Sequence, residues 1–105
     1  MIYFPTYLFS PHQLAFYQWL EANLDSFGFF FPYRQDLGGV AIEPWHISHK
    51  SVGLQCLTHL TPKVLRNQLI EQNQIDSIAG IDVILNNLDK VVIKFIHNIT
   101  PPEAL

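Results

Sequence analysis

With 105 residues, a formal charge of −3 and a single cysteine, the chain has room for one domain, no internal disulfide framework, and no basic concentration of the kind that holds nucleic acid. Hydrophobic residues make up 49% of it and charged residues only 14%, against roughly 25% charged in an average soluble protein. Two explanations stay open at this level: an ordinary core under a surface of Asn, Gln, Ser and Thr, or apolar surface that awaits cover by other chain or by a second copy.

The first twenty residues are apolar and aromatic, but they have no basic n-region and are interrupted by Pro5 and Pro11. They do not read as a secretory signal. No uninterrupted apolar stretch approaches the length of a membrane span. After an irregular aromatic lead over residues 1–9, Ser10-Pro11-His12-Gln13 predicts a helix start, with Ser10 as cap, Pro11 in the first turn and Gln13 completing a capping box. Leu14, Tyr17, Leu20, Leu24 and Phe27 recur at helical spacing and are the expected inward face. Gly28 supplies a left-handed stop.

An aromatic run over 29–33 reads as a short strand with Pro32 near its end. Asp36-Leu37-Gly38-Gly39 is a turn, and 40–48 is a second extended segment, so a hairpin-like connection is expected. A short helix or turn is placed over 52–60. Its Cys56, among Leu54, Leu57 and Leu60, is expected to be a buried structural thiol. Thr61-Pro62 opens a further helix to about residue 72 with Val64, Leu65 and Leu69 inward, Asp76 or Ser77 opens another, and Asp89 caps a last one that ends before Pro101-Pro102. The fold class is α+β: a helix, a short antiparallel hairpin or partial sheet, then a helical segment.

Glu43-x-x-His46 is the constellation that carries chemistry. Spacing alone favours an exposed carboxylate and an ordinary hydrogen-bonded histidine. On a regular strand the two side chains point to opposite faces, so they share a site only where the backbone turns between them. Pro44 favours that turn by fixing its own φ and holding Glu43 extended, and Trp45 is placed to wall the site. A hydrolytic zinc site needs three protein ligands, an open position for water and a nearby carboxylate; Glu43 as base and His46 as ligand supply two of these parts.

The order Phe27-Gly28-Phe29, Pro32-Tyr33, Gly38-Gly39-Val40 and Glu43-Pro44-Trp45-His46, preceded by Trp19-Leu20-Glu21-Ala22-Asn23 and followed by the tail Asn98-Ile99-Thr100-Pro101-Pro102, resembles the second half of VanY-type D-alanyl-D-alanine carboxypeptidases. These are zinc peptidases that share the fold of the lysostaphin and hedgehog group. The resemblance implies Glu43 as general base, His46 as the last zinc ligand, Trp45 beside the substrate, zinc as cofactor in the complete domain, and a peptidoglycan peptide ending in D-alanine as substrate. It implies a bacterial cell envelope or cytoplasmic setting. It also implies a division of the chain into residues 1–50, the C-terminal part of a peptidase core, and 51–105, a helical extension.

The family's other two ligands come from an upstream Ser-x-His-x-x-Gly-x-Ala-x-Asp motif. Ser10-Pro11-His12 matches its first three positions, but Ala15, Tyr17 and Trp19 stand where Gly, Ala and Asp are needed. The helix start accounts for His12 without metal, and the expectation is a half-site whose metal-binding partner is missing from this chain. His49 reads as a solvated loop residue, His59 precedes the Thr61 cap, His97 lies in a last helical turn, and Asp36 serves the turn.

Overall fold

The computed structural model describes residues 4–102, so expectations that fall on 1–3 and 103–105 lie outside the described residues. Helix α1 (Pro11–Asn23) starts on its capping box: the Ser10 hydroxyl accepts the Gln13 amide at 3.4 Å and the Gln13 side-chain oxygen accepts the Ser10 amide at 3.0 Å. It tightens into a 3-10 turn over Leu24–Phe27 and stops at Gly28, whose φ of 81° a residue with a Cβ would adopt only under strain. The tighter turn advances the chain by 3.0 rather than 3.6 residues per turn. Phe27 therefore leaves the inward stripe and is 65% exposed, whereas Leu24 is buried.

The α+β class holds, but the hairpin is smaller than the alternation suggested. Strand β1 (Phe29–Phe30) pairs antiparallel with β2 (Ser48–His49), Phe29 opposite His49 and Phe30 opposite Ser48. The stretch expected as a strand over 40–48 is irregular until Ser48. Pro32 and Pro44 have no N–H to donate to a ladder, and Gly38-Gly39 adds a break. One isolated rung, the Glu43 amide to the Tyr33 carbonyl at 3.0 Å, holds the two sides together in place of a strand.

Phe4, Leu24 and Phe31 form the buried core of this region, with Phe9, Leu20, Phe29 and Ile42 packed on it. The Phe4 and Phe31 rings meet edge to face at 4.9 Å, and the Arg34 guanidinium covers both, at 5.3 and 5.0 Å from their centroids. Glu21 is buried in α1 and its Oε1 accepts the Phe4 amide at 2.8 Å. That charge-assisted bond fastens the aromatic lead to the helix.

Helix α2 (Lys50–His59) follows β2 directly, because His49 Nδ1 accepts the Val52 amide at 3.3 Å and acts as its cap. Helix α3 (Pro62–Ile75) is capped by Thr61, whose hydroxyl accepts the Val64 amide at 3.3 Å. Val64, expected inward, is 50% exposed in the first turn of α3, and α4 (Ile81–Asn86) follows. That helix begins at Gly80, φ 72°, not at Asp76 or Ser77. The Asn73 side chain accepts the Ile78 amide at 2.8 Å and ties the intervening loop to the end of α3. Asp89 lies inside the first turn of α5 (Leu88–Val91) instead of capping it, and the chain then widens into a π-helical turn, Val92–Ile96, closed by the His97 amide on the Val92 carbonyl at 2.9 Å.

The last described segment returns to the loop that carries Glu43 and His46. The Thr100 amide donates to the Pro32 carbonyl at 2.9 Å and Asn98 Nδ2 to the Leu37 carbonyl at 2.7 Å. His97 Nε2 meets the Leu60 carbonyl at 3.1 Å. Gly39 lies so close to the Lys94 carbonyl that a Cβ there would collide with it. Among the described residues no helix is long and apolar enough to cross a membrane.

Candidate functional site

Glu43 and His46 stand on either side of the turn made by Pro44 and Trp45. The turn is closed by the His46 amide on the Glu43 carbonyl at 3.3 Å, and buried Pro44 anchors it. The i and i+3 side chains, which a strand would separate, come together: Glu43 Oε2 is 2.5 Å from His46 Nδ1. A contact that short is a charge-assisted hydrogen bond with Nδ1–H donating. Nε2 is then the nitrogen left for other chemistry. The Tyr33 ring meets the imidazole edge to face at 5.3 Å, so Tyr33 supports Glu43 through its carbonyl and His46 through its ring.

His46 opens on a cavity of about 380 Å³ whose walls include Tyr33, Phe30, Cys56, Leu57 and Ile96. Glu43 lies behind the imidazole and does not line it. Cys56 is exposed, which corrects the expectation of a buried thiol: α2 packs on β2 along one flank and Cys56 turns toward the open side. Trp45 is 61% exposed. With Pro44, Phe9 and Tyr17 it lines a separate depression of about 110 Å³ against α1.

The other sequence candidates have local roles. His12 is exposed in the first turn of α1, His49 caps α2, and His59 is exposed in the last turn of that helix. Asp36 accepts the Gly38 amide at 2.9 Å, the turn role expected of it. Sequence reasoning missed the contribution of Leu57 and Ile96 to the cavity. Contacts made between segments far apart in the chain leave no local signal.

Among the described residues no group of three or more His, Cys, Asp or Glu side chains stands together to hold a metal. One imidazole whose Nδ1 is already bound to a carboxylate falls short of the three protein ligands a hydrolytic zinc site requires. The donors among the described residues, taken by themselves, do not fit zinc.

The turn thus joins a carboxylate to an imidazole that opens on a cavity. Residues 9–53 match the family model described as VanY, D-alanyl-D-alanine carboxypeptidase, so this segment is similar to that family. The match takes in α1, both strands and the Glu43–His46 turn, and ends in α2. No curated protein and no solved structure matches the chain.

Proposed function

We propose that the chain carries the C-terminal part of a zinc-dependent D-alanyl-D-alanine carboxypeptidase or related peptidoglycan peptidase, with Glu43 as general base and His46 as a metal ligand, and that it is inactive without a complementary half-site. The single observation behind this reading is the Glu43–His46 pair at 2.5 Å, held on the Pro44 turn inside a segment that matches the family. Residues 1–50 then represent the peptidase core and 51–105 a helical extension. In the working site Glu43 takes a proton from the attacking water and returns it to the departing amine. For this its carboxylate must first release Nδ1, because an oxygen engaged with the imidazole is a poorer acceptor for water.

The reading is tested by the coding sequence upstream and by reconstitution. A Ser-x-His-x-x-Gly-x-Ala-x-Asp segment in a linkable frame, joined to this chain, is expected to release D-alanine from a peptide ending in D-alanyl-D-alanine. Glu43→Gln is expected to lower the rate by roughly a hundredfold or more, the scale of a general base. Release that is unaffected by Glu43→Gln or His46→Ala contradicts the assignment.

A second reading is favoured by the absence of a three-donor cluster among the described residues: a non-catalytic module that retains the family scaffold without the metal. It predicts no D-alanine release from the joined protein although the fold is intact by circular dichroism.

A further inference from the structure

The molecule exposes more surface than its mass requires. Its accessible area is 7358 Å², against about 6,000 Å² for a compact monomer of 12.1 kDa. Its radius of gyration is 16.9 Å, against about 13 Å for a compact chain of this length. The excess, roughly 1,300 Å² per copy, exceeds the roughly 800 Å² that each partner contributes to a standard stable interface.

Exposed large apolar side chains lie on both regions, and those beyond the family match include a set at regular spacing. Ile84, Val91 and Phe95 are 37%, 40% and 42% exposed. Their spacing of seven and then four residues places them along one margin of the α4–α5 helices and the turn that follows, beside buried Leu88. A margin that is half-buried by its own chain and covered by no other described residue is the geometry of a contact surface.

Charge selects what covers it. Residues 62–95 carry Lys63, Arg66, Lys90 and Lys94 against Glu71, Asp76, Asp82 and Asp89, a balance of zero, so two copies of this region meet without net repulsion. The other apolar face, Phe16, Trp19 and Phe27 on and after α1, belongs to a region that carries Arg34 and Lys50 against Glu21, Asp25, Asp36 and Glu43. Two copies facing each other there would meet with like charge. We propose that the chain forms a two-fold symmetric homodimer through the Ile84, Val91 and Phe95 margin, with α3 at its edge. A two-fold contact brings the same patch of each copy together and needs that patch to be complementary to itself, which a neutral, apolar helix margin is.

The test uses the whole chain and is independent of the Glu43–His46 reading, since neither residue lies on the margin. Sedimentation equilibrium at micromolar to hundred-micromolar concentrations is expected to give a mass of twice 12.1 kDa that falls on dilution. Ile84→Asp and, separately, Val91→Asp are each expected to raise the dimer dissociation constant by roughly tenfold or more, the loss typical of a central interface residue. Trp19→Ser on α1 is expected to leave it unchanged. A wild-type chain that is monomeric throughout overturns the proposal whatever the variants do. A dimer dissolved by Trp19→Ser but not by Ile84→Asp overturns the assignment of the surface.

Discussion

Between Phe4 and His49 the apolar residues converge: Phe4, Leu24, Phe30 and Phe31 are each no more than 6% exposed, and the Phe4 and Phe31 rings meet edge to face under Arg34. From Pro62 to Ile96 the apolar residues are as frequent, yet among them only Leu88 and Val92 are buried to that degree, and Val83 and Ile93 are two-thirds exposed. The difference is one of topology. The first region folds back on itself through β1, β2 and the Pro44 turn, so side chains arrive from several directions. The second is a run of short helices with one another as neighbours, and each has a free flank. Apolar content therefore does not measure how much core a region makes, and the same residue types that fill a core in one half stay exposed in the other.

Substitutions can break or sharpen that contrast. The largest effect is expected from Phe31→Ala, which removes a ring 2% exposed and should destabilise the chain by about 3–5 kcal/mol in urea unfolding. A loss under about 1 kcal/mol would mean that the aromatic region is not the main core. Val92→Ala empties a site 1% exposed but removes far less volume, and about 2 kcal/mol is expected. If it costs more than Phe31→Ala, the ranking of the two regions is reversed.

Gly39→Ala drives a methyl group into the Lys94 carbonyl, and a loss of about 1–3 kcal/mol with faster amide exchange at Thr100 is the expected result. It reads the coupling between the halves directly, because Gly39 lies in the first and Lys94 in the second. Thr61→Ala removes the α3 cap at a cost of about 1 kcal/mol. That change should be visible in thermal unfolding and should leave the chemical shifts of Phe31 and His46 in place. The smallest effect is expected at Thr100, whose hydroxyl oxygen is buried without a hydrogen-bond partner. Thr100→Val should leave stability unchanged or raise it by up to about 1 kcal/mol, and a clear loss would reveal a partner for that oxygen.

How far the sequence carried depends on whether the deciding interaction is local. Ser10 with Gln13, Thr61 with Val64, Asp36 with Gly38 and the left-handed Gly28 were all legible, since each joins residues no more than three apart or concerns a single φ. The Pro44 turn that unites Glu43 and His46 was legible for the same reason. The length of the sheet was not. Two prolines and a glycine pair left only two residues in each strand, and alternation of apolar residues does not count the ladder bonds that prolines delete. Cys56 and Phe27 failed differently: each belongs to an apolar pattern, but whether that pattern is covered depends on a neighbouring element, and among the described residues none covers either. The cavity beside His46 draws Leu57 and Ile96 from beyond the family segment, a juxtaposition set by the return of the last segment through Asn98 and Thr100.

The central proposal is that Glu43 and His46 form half of a peptidase site and that the donors among the described residues do not complete a zinc site. It is tested most directly by elemental analysis of the purified chain after dialysis against dilute zinc, with His46→Ala in parallel. The account predicts far less than one zinc per chain and the same residual level in the variant. Near-stoichiometric zinc that disappears in His46→Ala would contradict it.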